Sequence, residues 1–247
     1  YIAVNIMSET TANNKRIVKN TMFLYVRMLL SLLVSLYTSR VVLNALGASD
    51  YGIYNVVGGV VVMFAFMSNT MATAAQRFMS YAIGRKDIKD LRNTFVVSRM
   101  ILWTIALLVF ILVESIGIWL LFDQLLIPED RIYAAFWVFQ FSVASLFITI
   151  VSIPYNAVII AHEKMSVYAG LSLVDIFLKF GVAFWLLNIS DSVDKLIMYG
   201  SLIMVIAILM RIIYIIYCKR HFEECSHNIN KYDKEKGKQM LSFFGWN

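Results

Sequence analysis

The chain has 247 residues, 60% of them hydrophobic and only 15% charged, with a mean hydropathy of +0.71. Soluble domains carry about 25% charge, so this composition excludes an ordinary soluble fold and indicates a polytopic membrane protein. A net charge of +6 raises nucleic acid as a partner, but the basic residues sit in short loops beside apolar runs and no zinc-finger or RNA-binding signature appears; membrane lipid is expected instead, and nucleic acid is not.

Six helices are predicted, each longer than the ~20 residues that a bilayer requires. Residues 1–17 form an N-terminal tail, in which Tyr1 to Ile6 precede Met7 and carry no pattern. The first apolar run is too long for a cleavable signal peptide, and further runs follow it. The first helix, 18–43, carries Asn20, Arg27, Ser31, Ser35 and Thr38 on one face. Arg27 lies about 12 Å deeper than Lys19. It either snorkels to the headgroups or forms a cationic, substrate-binding wall of a wet cavity. Arg40, near the other end, snorkels or caps the last carbonyls of its helix.

The turn Leu46-Gly47-Ala48-Ser49-Asp50 follows. Gly47 can take a positive φ and stop a helix, and Ser49 or Asp50 is placed to cap the next one. In the second helix, 51–83, Tyr51 and Tyr54 suit a membrane–water interface, and Gly58-Gly59 is expected to let another helix approach closely. Asn69, Thr73, Gln76, Arg77 and Ser80 follow toward its far end. Arg77 is a second candidate for binding substrate.

In the third helix, 96–122, Glu114 beside Gly117 either bonds across helices or accepts a proton as an ion-coupling group. The fourth, 132–161, carries Ser142, Ser145, Thr149, Ser152 and Asn156 on one face, with Pro154 expected to kink it. Such a stripe is either interhelical glue or a substrate path. The fifth, 165–188, places Ser172, Asp175 and Lys179 on one face. Asp175 lies about 16 Å beyond Lys164, near the bilayer middle, and Lys179 one turn further can pair with it. The pair is either a packing device or an ion-coupling carboxylate beside a substrate-binding cation. In the sixth, 196–217, Arg211 lies close enough to Lys219 that snorkelling is expected.

Residues 218–240 read as a basic cytoplasmic linker, and 241–247 as the start of a truncated seventh span. Cys218, His221, Cys225 and His227 match no standard zinc spacing, and two cysteines suggest no disulfide framework. No metal or cofactor is expected. Without a nucleophile–base pairing, phosphate loop or dinucleotide fingerprint, neither is an enzyme. Of the 22 Lys and Arg, sixteen flank one set of helix ends, whereas only Arg131 and Lys195 lie in the opposite loops. That asymmetry puts both ends of the six-helix stretch in the cytoplasm.

The segment LYTSRVVLNALGASDYGIYNVVGG, from Leu36 to Gly59, followed by QRFMSYAIGRKD, from Gln76 to Asp87, resembles the amino-terminal half of the polysaccharide (O-antigen type) flippases. These belong to the multidrug/oligosaccharidyl-lipid/polysaccharide exporter superfamily. The resemblance runs from about Asn20 to Asn247 and is strongest from Tyr37 to Asp87. It implies an all-α, six-helix transmembrane lobe, half of a two-lobe transporter, in a bacterial cytoplasmic membrane. The implied activity is flipping of polyprenyl-pyrophosphate-linked oligosaccharide by alternating access, coupled to H+ or Na+. Polysaccharide polymerase machinery would be a partner.

Within the predicted spans Arg27, Arg40, Lys179 and Arg211 outnumber Glu114 and Asp175, a balance that suits a pyrophosphate. A multidrug antiporter of the same superfamily should favour an acidic cavity. A non-transporting membrane scaffold for polysaccharide assembly would need neither a cavity nor a midplane ion pair. Convergence of the polar stripes on one cleft separates these readings.

Overall fold

A computed structural model describes residues 2–189, 194–226 and 233–246. Ser192, His227, Lys231 and Asn247 therefore lie outside the described residues. Among the described residues the regular structure is entirely helical, without strands. The helices are α1 (Ile2–Gly84), α2 (Ile88–Trp119), α3 (Ile132–Ala161), α4 (Met165–Leu186), α5 (Lys195–His221), a short α6 (Glu223–Ser226) and α7 (Lys234–Trp246). A π turn, Leu120–Gln124, extends α2, and a 3-10 turn, Glu129–Arg131, leads into α3. Five helices, the first counted as Asn20–Gly84, are long and apolar enough to cross a membrane.

The first and second predicted helices form one element interrupted only at Gly47, whose φ of 80° and ψ of 168° are not helical. A straight helix would set Ser35 and Tyr54 about 28 Å apart, yet both line one cleft. Tyr37 packs on Phe180 of α4, with ring centroids 5.8 Å apart, and Tyr54 packs edge-on against Tyr199 of α5 at 5.0 Å. The chain therefore doubles back at Gly47, where glycine adopts a backbone conformation that a Cβ would oppose.

Several boundaries differ from expectation. Helix α1 runs back through the predicted tail to Ile2, since residues 2–17 contain no glycine or proline to stop it. Helix α2 starts at Ile88, well before the expected residue 96, because the Asp87 carboxylate accepts a bond from the Asp90 N–H and caps it. Helix α5 continues to His221. The expected border between linker and seventh span, at 240/241, falls inside α7.

Helix α3 is the centre of the bundle, packing against α1, α2 and α5. Its Val138, Phe139, Val143, Ile150, Val158 and Ile159 are buried. At Gly117 α2 packs tightly on α3: a Cβ there would overlap the ring of Phe139. Gly58 and Gly59, expected to fill that role, have open space around them. A second apolar cluster joins Val41 and Val42 to Ala183, Leu186 and Tyr199, and a third joins Val97 and Ile101 to Met240 of α7.

The turns gather at two ends. At one, Arg131 bridges Asp50 and Asp194, the latter at 3.4 Å, tying the Gly47 turn to the starts of α3 and α5. Asp50 is thereby used as an ion-pair partner, with its Oδ2 on Arg131. At the other end Lys236 pairs with Asp90, Arg92 with Glu223 at 3.3 Å, and His162 with Glu224 at 2.5 Å. The imidazole of His162 also stacks on Phe222, 4.4 Å between centroids. These are called below the Asp50 end and the Asp90 end.

The first arm of α1 is amphipathic in the inverse sense. Its partly covered positions recur as Asn20, Leu24, Arg27, Ser31, Val34 and Thr38, a three-four spacing that defines one helix face. Between Asn20 and Arg40 the other positions, including Met22, Tyr25, Leu29, Leu33 and Leu36, are exposed. A water-soluble protein buries the apolar face and rarely exposes apolar patches beyond a few hundred Å². Here the polar face turns inward and the apolar face outward, the arrangement that a lipid solvent requires. Apolar side chains are likewise exposed along α2 (Leu107, Leu108, Ile111) and α5 (Leu209, Ile212, Ile216).

Candidate functional site

The inward polar face of α1 meets polar faces of α3, α4 and α5 around a cavity of about 390 Å³. Arg27 and Ser31 come from α1, and Thr149, Ser152 and Asn156 from α3. Ser172, Asp175 and Lys179 come from α4, and Arg211 and Tyr214 from α5. Parts of the stripes named from the sequence on the first, fourth and fifth predicted helices thus meet at one cleft, while Asn20, Ser35, Thr38, Ser142 and Ser145 do not line it. Arg27 and Lys179, two of the three expected substrate-binding residues, lie in its wall with Asp175.

Two of the expected residues lie elsewhere. Arg77 is exposed and does not line the cavity. Glu114 packs between α2 and α3, where Gln140 Nε2 donates to its Oε2 at 3.0 Å and its Oε1 is buried without a partner. Of the two roles open to Glu114, the geometry contains the bond across helices. Arg211, for which the sequence suggested snorkelling and no binding role, is brought to the same cavity, with its guanidinium 5.6 Å from the centroid of Trp103. Its signal in the sequence was the one-turn spacing to Tyr214, which lines the same wall.

The cavity holds three cations and one carboxylate, so it is formally positive. Lys179 Nζ donates to Asp175 Oδ2 at 2.8 Å, within α4. Arg27 sits 4.7 Å from the centroid of Tyr168, one turn before Ser172, while its Nε is buried and unpartnered. The Oδ1 of Asn156 is also buried and unpartnered. Leaving such atoms unsatisfied costs about 1–3 kcal/mol each, so a polar occupant of this space, water or ligand, gains what the protein leaves unmet.

The hydroxyls along the wall are bonded within their own helices. Ser152 donates to Ile148 O at 2.6 Å, Thr149 to Ser145 O at 2.8 Å and Ser172 to Tyr168 O at 2.8 Å. Ser172 of α4 also shares a side-chain hydrogen bond with Tyr214 of α5, so the lining contains an interhelical contact as well. Each oxygen retains lone pairs that can accept.

The cysteine–histidine stretch serves the Asp90 end instead. Cys218 donates to Tyr155 O at 3.5 Å, and His221 stacks on Tyr217 with Nδ1 at 3.0 Å from Tyr217 O. A hydrogen bond to Cys218, and then burial, push the Cys225 thiol up, so it stays protonated and unreactive. Among the described residues no group of three or more His, Cys, Asp or Glu is placed to hold a metal ion.

Comparison with known protein families, with curated proteins and with solved structures finds no match to this chain.

Proposed function

We propose that the chain forms a six-span transmembrane lobe that carries a polyprenyl-pyrophosphate-linked oligosaccharide between the leaflets of a bacterial cytoplasmic membrane, for cell-surface polysaccharide synthesis. The two arms of α1 and helices α2 to α5 would supply the six crossings. Basic asymmetry would put the Asp90 end in the cytoplasm. On the resemblance carried by Leu36 to Gly59 and Gln76 to Asp87, this lobe works with a second one by alternating access, driven by H+ or Na+.

The observation that supports this reading best is the polar, net-positive cavity inside a bundle whose outer surface is apolar. Charges are costly at membrane depth and are kept there for function. Arg27, Lys179 and Arg211 offer charge-assisted donors to a pyrophosphate, and arginine's planar fork suits phosphate oxygens. Asp175 competes for Lys179. Protonating it would free the ammonium for the anion, and deprotonation would withdraw it, linking a proton to the substrate cycle. An excess of cations disfavours a drug antiporter that must hold cationic cargo.

The test is Arg27→Ala in the full-length protein. Glycan export should fall sharply at unchanged protein abundance. Unchanged export would refute the role, and lost abundance would assign Arg27 to folding.

A further inference from the structure

A second cleft, of about 330 Å³, adjoins the cationic cavity on its Asp50 side. It is lined by Ser35, Thr38 and Ser39 of α1, by Tyr54 beyond the Gly47 turn and by Tyr199 and Ile203 of α5. Ile176 and Lys179 line both spaces, so the two are contiguous through α4. The chemistry changes across that boundary. The first space is cationic, whereas the second has hydroxyls and phenol rings, with Lys179 as its one charge. We propose that this cleft is a carbohydrate subsite, which holds the sugars of a ligand whose pyrophosphate lies among Arg27, Lys179 and Arg211. The proposal rests on the flippase reading and adds to it the part of the protein that reads the glycan.

Three features support a polyhydroxylated occupant. First, Thr38 Oγ1 donates to Val34 O at 2.7 Å and Ser39 Oγ to Ser35 O at 3.0 Å. Their protons are thus committed to the helix, and the oxygens offer lone pairs to incoming O–H donors. Second, Tyr54 and Tyr199 form an edge-on pair, which gives a rigid amphipathic wall with an apolar face and a polar tip. Third, the placement fits a ligand with its anion at one end. Ser35 and Ser39 lie about 12 and 18 Å along α1 from Arg27, toward the Asp50 end. A site built to bond hydroxyls also discriminates strongly, because a ligand lacking them leaves polar groups unpaired.

The experiment compares two probes on the full-length protein in lipid nanodiscs. One is sugar-free polyprenyl pyrophosphate, and the other is the same lipid bearing the oligosaccharide extracted from the producing cells. The wild type should bind the glycosylated lipid more tightly. The triple variant Ser35→Ala/Thr38→Val/Ser39→Ala should lose about tenfold or more for the glycosylated lipid, with its affinity for the sugar-free lipid unchanged. If the triple variant does not fold, Ser35→Ala alone, at an exposed position, should show a smaller loss in the same direction. Equal wild-type affinity for both probes, equal loss for both in the variant, or no loss at all would overturn the subsite. Binding of neither probe by the wild type would overturn the flippase reading itself, and the subsite with it.

Discussion

Single atoms decide what several residues do. Gly117 faces Phe139 so closely that an added Cβ would overlap its ring, whereas Gly58 meets nothing within 4 Å. Gly117→Ala should therefore destabilise the protein by about 1–3 kcal/mol through overpacking. Gly58→Ala should be neutral or slightly stabilising, from the better helix propensity of alanine. Thermal unfolding in detergent checks both, and Phe139→Leu should restore part of the loss in Gly117→Ala. At Asp175 the question is protonation. Its Oδ2 accepts from Lys179 at 2.8 Å, and Asn would keep that acceptor but could not exchange a proton. Asp175→Asn should abolish glycan export at normal abundance. An apolar replacement of both residues should fold, since a partly exposed pair one turn apart adds little net stability, and should also fail to export. Export retained by the double variant would leave the pair as a packing device.

At the scale of elements, one residue divides α1. With φ at 80° and ψ at 168°, Gly47 occupies a region that is open almost only to glycine. Gly47→Ala should cost about 1–3 kcal/mol, read as a lower unfolding midpoint, and should loosen the packing of Tyr37 on Phe180 and of Tyr54 on Tyr199. The two arms differ in how they are covered. Between Asn20 and Arg40 the first arm shelters one stripe, from Asn20 to Thr38, while the second contributes Val57, Val61, Met71, Ala75 and Met79 to the main core. Near the turn the first arm is held by Val41 and Val42, which join Ala183, Leu186 and Tyr199, and by Tyr37 on Phe180.

For the whole molecule, three turns meet through Arg131 at one end, and charged pairs on α2, α6 and α7 gather at the other. Chain direction therefore alternates, and labelling can assign the ends to sides of a membrane. Cys218 and Cys225 are buried and give little background. An impermeant thiol reagent added outside cells should modify cysteine placed at the exposed positions Ser49 or Glu129, and should spare cysteine at Lys89. Labelling at Lys89 from outside would reverse the orientation that the basic asymmetry indicates.

Sequence alone determined the helical, membrane-suited class, the whole of the fourth helix at 132–161, the break at Gly47 and the shared faces of Arg27 with Ser31, of Thr149 with Ser152 and Asn156, and of Ser172 with Asp175 and Lys179. Those properties are local. Hydropathy sets what a helix can be buried in, a glycine sets where it can turn, and the 3.6-residue repeat sets which side chains share a face. What a face meets is not local, and tertiary structure decided it. Arg211 joins the cavity wall, and Gly117 takes the close contact expected of Gly58-Gly59. Asp50 is claimed by Arg131, and Arg77 and Glu114 stand apart from the site that Arg27, Asp175 and Lys179 share. Each outcome depends on the rotation of one helix about its axis relative to its neighbours. Packing of the assembled bundle selects that angle, and no single helix encodes it.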